Sequence, residues 1–138
     1  MKKIYIYTLL LIIGNVFAQK SETITINWIA QTNYDLGEVV VKIPQFQSEN
    51  YDFDASKRTI SFKINFDIPS LLSSEALQIS TVNYQNIAEN DLFDLDKTKI
   101  TSSINAKFES VNARGTFKGA LSFNPIIKDA SGYKKVVS

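Results

Sequence analysis

The chain has 138 residues, of which 15 are basic and 14 acidic, and it contains neither cysteine nor histidine. A cysteine nucleophile, a Ser-His-Asp triad and a histidine-ligated zinc or iron site are therefore excluded within it. Hydrolytic chemistry by its own side chains would be limited to carboxylates or a Ser/Lys pair. The near-neutral charge, with no basic cluster, argues against a nucleic-acid partner.

The first residues have the pattern of a secretory signal peptide. Lys2 and Lys3 precede an apolar run from Ile4 to Ile13, and small residues follow before Gln19. This pattern predicts a signal peptide over residues 1–18, cleaved between Ala18 and Gln19. A transmembrane anchor is the alternative, but it needs roughly 20 apolar residues, and this run is shorter. We therefore expect export to the periplasm or the outer-membrane surface.

Residues 19–138 would form the mature protein, which is long enough for one β domain with its own core. No later segment is apolar enough to span a membrane. Since there is no cysteine, the stability of this domain must come from packing.

Apolar and polar residues alternate with period 2 through most of this domain, which predicts strands. In chain order the predicted strands cover residues 23–30, 38–44, 51–53, 59–66, 77–84, 103–111, 116–123, 122–128 and 133–138. We expect Ile24, Ile26 and Trp28 to share a face. Pro44 should close its strand, and the face of residues 77–84 is ambiguous.

The strongest alternation is in residues 59–66, where Ile60, Phe62, Ile64 and Phe66 share one face. Gly119 lies among the inward positions of a later strand and indicates a bulge or a close approach. Residues 54–58 should form a hairpin turn, and residues 73–78 and 89–96 could each form one helical turn. With the overlapping segments 116–123 and 122–128 counted together, about seven or eight short strands without a sustained helix predict an all-β fold, an antiparallel β-sandwich.

The chain stops in the β-branched pair Val136-Val137 directly after a predicted turn at residues 129–132. Six residues after that turn would not fully pair the preceding strand, which would then present unpaired backbone groups. The ending therefore suggests the front of a longer protein, truncated at its C-terminal end.

Two acidic segments suggest calcium. Glu89, Asp91, Asp94 and Asp96 offer carboxylate oxygens, but a solvated loop paired with the lysines that follow it is the favoured interpretation. Asp52, Asp54 and Ser56 begin like an EF-hand loop. Lysines occupy the positions where that loop requires glycine and its closing glutamate, so we reject the EF-hand.

The aromatic residues are numerous, with nine Phe, six Tyr and one Trp. Exposed aromatic rings could stack on sugar rings, so carbohydrate binding is a possible function. Most of the rings alternate with Ile and Leu on inward positions, however, which favours a core role, and Trp28 shares its face with two isoleucines. No Ser/Lys pair lies in a nucleophile motif. The residues themselves indicate an exported, cofactor-free, non-catalytic β domain.

A resemblance to a known family adds context. The predicted signal peptide is followed by "ITINW", by "VKIPQF", by "NYDFDASKRTISFKI" and by "LSFNPIIKDASGYKKVVS". These segments, spread over nearly the whole chain, resemble the N-terminal part of the PorU-type sortases of the type IX secretion system of Bacteroidota. Those sortases are gingipain-like cysteine peptidases. In that family a similar Ser-Phe-x-Pro strand, turn and Tyr-Lys-Lys-Val strand precedes further β structure, and the peptidase domain comes much later.

The resemblance implies an N-terminal folding or docking module. The parent enzyme would remove C-terminal sorting domains from secreted cargo at the cell surface. The catalytic cysteine and histidine of the family have no counterpart here, so no family site residue is carried over. The implied partners are the remainder of the polypeptide and surface secretion components. A stand-alone binding module for glycan or protein and a purely structural sandwich remain as alternatives.

Overall fold

The computed structural model describes residues 22–77 and 79–138, and the predicted signal peptide with its cleavage between Ala18 and Gln19 lies outside them. The described residues form an all-β fold of antiparallel sheets, as predicted. They contain nine strands: β1 Trp28–Asp35, β2 Val40–Phe46, β3 Tyr51–Asp54, β4 Thr59–Ile68, β5 Tyr84–Asn86, β6 Lys107–Ala113, β7 Thr116–Phe123, β8 Ile126–Asp129 and β9 Gly132–Val136.

The strands form three sheets. β1 and β2 pair as a hairpin, four strands follow the order β3-β4-β7-β6, and three follow the order β5-β9-β8. The predicted turn after β3 is confirmed, since Asp54 pairs with Thr59. The predicted helical segments contain single turns, one closed by a bond from the Ala76 amide to the Ser73 carbonyl and one a 3₁₀ turn over Glu89–Leu92.

The four-stranded sheet confirms the strongest sequence pattern. Ile60 and Phe62 on β4 are buried, and Phe62 lies directly opposite Phe123 on β7. Directly opposed residues of an antiparallel pair point to the same side of the sheet. The alternate side chains of β4 therefore build an apolar inner face, while Ser61 and Lys63 point to the other face.

Gly119 lies where two phenylalanine rings approach the backbone of β7. A Cβ atom at this position would lie 2.9 Å from a ring carbon of Phe66 and 2.9 Å from one of Phe108. The predicted close approach is thus confirmed. The predicted bulge is absent, because β7 pairs in continuous register with β4 and β6 through Gly119.

Pro44 does not close its strand, contrary to the sequence prediction, because β2 continues to Phe46. The register between β1 and β2 shifts between Ile29 and Thr32, so that two residues of β1 stand opposite Pro44. A bulge skips a rung of the hydrogen-bond ladder and therefore tolerates a residue without an N–H.

Two predicted strands are shorter than the alternation suggests. Among the described residues of the segment 77–84, only Tyr84 is in a strand, and within residues 103–111 the strand begins at Lys107. Thr81 and Asn105 have φ angles of 52° and 44°, which interrupt an extended backbone. The predicted strand 23–30 likewise starts only at Trp28, although Ile26 on its inward face is buried as expected.

The end of the chain differs most from the sequence prediction. β7 stops at Phe123, and Pro125, which has no N–H, separates it from β8. Each residue of β8 has a partner in β9, from Ile126 with Lys135 to Asp129 with Gly132. The expected unpaired stretch of this hairpin is therefore absent. β9 is the central strand of its sheet, since β5 pairs on its other side.

Two clusters of buried side chains draw on all three sheets. The first core consists of Val41, Ile43, Ile60, Leu92, Leu95, Ile126 and Tyr133. The second core consists of Ile26, Phe46, Phe62, Leu121, Phe123 and Val136. Trp28 and Tyr51 pack against both clusters and so join them.

The substitution Gly119→Ala should lower the free energy of unfolding by about 1–3 kcal/mol, because the added methyl group overpacks the space between the Phe66 and Phe108 rings. Urea denaturation measures the change. Ala120→Ser, which adds one atom on the opposite face of the same strand, is the control. A Gly119→Ala protein as stable as the wild type would show that the rings move aside without cost.

Candidate functional site

The acidic segment is fastened to the sheet rather than gathered around a cation site. Asp94 accepts a hydrogen bond from the Lys42 amide through Oδ2, at 2.7 Å, and donates its own amide to the Lys42 carbonyl, at 3.0 Å. On either side of it, Leu92 and Leu95 are buried in the first core. These two hydrogen bonds hold the acidic segment along the outer side of β2.

The other carboxylates of this segment have separate partners. Asp96 accepts bonds from the Thr98 hydroxyl at 2.6 Å and from the Thr98 amide at 3.0 Å, which lower the pKa of the Asp96 carboxyl. Glu89 pairs with Lys97 at 3.4 Å. In residues 22–77 and 79–138 no three acidic side chains are placed to hold a metal ion together. Glu89 thus has the expected lysine partner, whereas Asp94 and Asp96 bond to the Lys42 amide and to Thr98.

The segment that resembles the start of an EF-hand forms the β3–β4 turn. Asp54 Oδ1 accepts from the Ser56 hydroxyl at 2.6 Å and from the Lys57 amide at 3.1 Å, and these bonds lower the pKa of Asp54 to about 2. The Asp52 carboxylate lies 2.7 Å from Lys63 Nζ on the adjacent strand. Both carboxylates therefore stabilise the hairpin.

The aromatic residues mainly build the core. Phe46 stacks on Phe62 with ring centroids 6.1 Å apart, and Phe62 stacks on Phe123 at 4.9 Å. Trp28, which is half-buried, packs edge-on against Phe46 at 5.3 Å and donates its indole N–H to the Val136 carbonyl at 2.7 Å. Trp28 therefore has the expected core role, with part of its ring still exposed to solvent.

No aromatic platform for a sugar ring is visible in the described part of the chain. Tyr84 is the only aromatic residue among its exposed large apolar side chains. Tyr51 is half-buried and donates its hydroxyl to the Pro44 carbonyl at 3.2 Å. Burial, followed by hydrogen bonding with Tyr34, raises the pKa of Tyr51 well above its ordinary value, so it stays protonated.

The outer edge of β1 is extended and, among the described residues, carries no neighbouring strand. Both backbone groups of Lys42 on β2 bond to Asp94, away from β1, so the Lys42–Asn33 pair is a non-hydrogen-bonded pair. In an antiparallel ladder such pairs alternate with bonded ones. The backbone groups of Asn33 and Asp35 therefore point outward, and within the described residues they have no backbone partner on that side.

Exposed apolar side chains lie beside this edge. Leu36, Val39 and Val40 at the tip of the β1–β2 hairpin are 42%, 52% and 60% exposed, and Ile29 near its base is 45% exposed. We call these four residues and the outer edge of β1 the hairpin surface. β1 contains neither Lys nor Pro, the residues that commonly block edge pairing.

Period-2 alternation predicts a strand at the start of this hairpin but does not identify the surface. Its sequence signal is the apolar group Leu36, Val39 and Val40 around Gly37, a residue that has a φ of 94° in the turn. Period-2 alternation places side chains on faces. It does not show which strand lacks a neighbour.

The chain matches no family model, no curated protein and no solved structure. Across the described residues, no helix is long and apolar enough to cross a membrane.

Replacing Asp129 by Asn should remove an acid-sensitive contribution to stability. Asp129 Oδ2 lies 2.5 Å from Lys134 Nζ, and Oδ1 accepts from the Ser131 hydroxyl and amide. These contacts, with Lys134 first, lower the pKa of Asp129 from 3.8 to about 2. Because the folded-state pKa is lowered, the stabilisation is present above about pH 4 and is lost as the pH falls towards 2.

Melting temperatures measured from pH 7 to pH 2 test this expectation. Asp129→Asn should melt below the wild type at pH 6 and match it near pH 2. Asp91→Asn makes the same change in charge at a carboxylate without an ion pair in the described residues, and it should stay close to the wild type throughout. A gap between Asp129→Asn and the wild type that is unchanged at pH 2 would contradict the assignment.

Proposed function

We propose that this chain is the non-catalytic N-terminal β module of an exported sortase-type cysteine peptidase, and that it acts by docking. The observation that carries the docking role is the hairpin surface, where outward backbone groups of Asn33 and Asp35 lie beside exposed apolar side chains. An edge of this kind recruits an extended segment through main-chain hydrogen bonds. Apolar neighbours add buried area to that pairing.

In this proposal the three sheets form a β-sandwich, and residues 1–18 direct its export. The docked partner is a segment from the remainder of the same polypeptide, which would continue the sheet of β1 and β2. The parent enzyme would remove C-terminal sorting domains from secreted cargo at the cell surface. Its peptidase domain would supply the cysteine and histidine that this chain lacks.

Four carboxylates of the described residues support a role without chemistry of their own. Asp52, Asp54, Asp94 and Asp129 each bond to a neighbouring backbone or side-chain group of the same fold. Glycosidase-type chemistry needs two carboxylates facing one substrate bond. These carboxylates are committed to turns and ion pairs.

A stand-alone binding module for glycan or protein is the alternative, and the hairpin surface could serve an independent protein partner equally well. The reading frame beyond the codon for Ser138 discriminates between the two. A frame that continues for several hundred codons to a Cys-His peptidase domain supports the proposed module. A stop codon directly after Ser138, with no such domain nearby, supports the alternative.

Amide hydrogen exchange tests the docking surface itself. In the 138-residue chain the amides of Asn33 and Asp35 should exchange freely, whereas those of Thr32 and Tyr34, in the bonded pairs with β2, should be protected. In the continuous parent polypeptide, Asn33 and Asp35 should exchange at least about tenfold more slowly, because a docked strand would occupy them.

Thr32 and Tyr34 serve as internal controls, since they should be protected in both proteins. Equal exchange at Asn33 and Asp35 in the two proteins would show that the remainder of the polypeptide does not dock on this edge. That result would contradict the docking role. The family assignment would then still be tested separately by the reading frame beyond Ser138.

A further inference from the structure

A small cavity lies on the side of the molecule where three distant segments meet. These are the β3–β4 turn, the 3₁₀ turn over Lys97–Lys99 and the junction between β7 and β8. The cavity has a volume of about 30 Å³. Its floor is apolar, with side chains of Ile60, Leu95 and Ile126, all of which belong to the first core.

The rim of this cavity is polar and carries more positive than negative charge. Arg58, Lys99, Asn124 and Asp96 line it. The Asp96 carboxylate already accepts two bonds from Thr98, so part of its hydrogen-bonding capacity is used. Two cations and one partly satisfied carboxylate leave the rim with a surplus of donors.

Backbone bonds between the segments fix the shape of the cavity. The Asp96 amide donates to the Arg58 carbonyl at 2.9 Å, which ties the 3₁₀ segment to the β3–β4 turn. The Asn124 amide donates to the Ile104 carbonyl, also at 2.9 Å, which anchors the β7–β8 junction. The rim is therefore held in place by main chain.

The two cations of the rim, unlike most other cations in the described residues, have neither an ion pair nor an aromatic ring as a partner. Five lysines are in ion pairs, and Lys128 and Lys135 lie over the rings of Tyr133 and Trp28; the paired lysines are Lys57, Lys63, Lys97, Lys118 and Lys134. Arg58 and Lys99 have neither kind of partner among the described residues. After the Thr98 hydrogen bonds, their charges also lower the pKa of the Asp96 carboxyl, so a bound anion would share both cations with Asp96.

We propose that this cavity binds a carboxylate carried on a short aliphatic chain. The aliphatic end would enter the apolar floor, and the carboxylate would bind to Arg58, Lys99 and the Asn124 side-chain amide. A cavity of about 30 Å³ is roughly two to three times the volume that one water needs on the same measure, so it admits only the end of such a chain. The ligand is either a free short-chain acid or the C-terminal residue of a peptide.

Nuclear magnetic resonance titration of the purified protein with sodium propionate tests the site. Saturable shifts should appear at the Asn124 side-chain amide and at Arg58, while sodium chloride at equal ionic strength should give none. Arg58→Ala and Lys99→Ala should each weaken binding by roughly tenfold, as expected for the loss of one charge-assisted hydrogen bond.

Lys107→Ala and Arg114→Ala are matched controls, because both remove an exposed cation that has no ion pair in the described residues and lies outside the cavity lining. They should bind propionate as the wild type does. A well-dispersed spectrum shows for each variant that the fold is retained. The proposal is overturned if propionamide binds as tightly as propionate, or if all four variants behave alike.

A second titration distinguishes the two sources of the carboxylate. A short peptide ending in alanine with a free C-terminal carboxylate is compared with propionate and with the same peptide as its C-terminal amide. Tighter binding of the free-acid peptide than of propionate assigns the site to a chain end, and the reverse assigns it to a free acid. Equal binding of the peptide acid and the peptide amide would contradict the anion site.

Discussion

The backbone of the last three residues connects parts of the chain that are far apart in sequence. The Val137 amide donates to the Asn83 carbonyl, and the Val137 carbonyl accepts from the Ile26 amide, both at 2.9 Å. One residue earlier, the Val136 carbonyl accepts the Trp28 indole N–H, and the Val136 amide bonds to Pro125. The Val136 side chain also packs with Phe62 and Phe123 in the second core, so all three sheets meet at this strand end. Bringing such distant segments together has an entropic cost that these contacts must offset.

This arrangement decides which parts of the β1–β2 hairpin are fixed and which are free. At the base, Trp28 and Phe46 pack against each other and against the second core. In the middle, Asp94 fastens β2 from its outer side. The outer edge of β1 and the hairpin tip have no such support in the described residues. A rigid base with a free edge is the geometry that strand addition requires, because the template is already ordered before its partner arrives.

The parts of the fold that could be predicted from the sequence are those that depend on local patterns. Alternation identified the inner face of β4, where Ile60 and Phe62 are buried, and the isolated Gly119 predicted a close approach that two phenylalanine rings make. These features depend on neighbours along one strand and its adjacent strands. Thr81 and Asn105 have positive φ angles that shorten two strands. Neither residue is a glycine, which is the usual sequence signal for such a backbone conformation.

Long-range pairing could not be predicted in the same way. Pro44 lies inside β2 because a bulge in β1 faces it, and nothing near Pro44 in sequence indicates that bulge. The central position of β9 depends on β5, a strand of three exposed residues without a recognisable pattern. The cavity rim likewise combines Arg58, Lys99 and Asn124, which come from three separate turns.

The variant Val137→Pro tests the role of this strand end most directly, because proline removes the N–H that bonds to Asn83. Val137→Ala shortens the same side chain and keeps the amide, so it is the matched control. In urea denaturation, Val137→Pro should be less stable than Val137→Ala by about 1–3 kcal/mol, with a red-shifted Trp28 emission as its environment opens. Equal stability of the two variants would show that the sheets hold together without this strand end and would contradict the account.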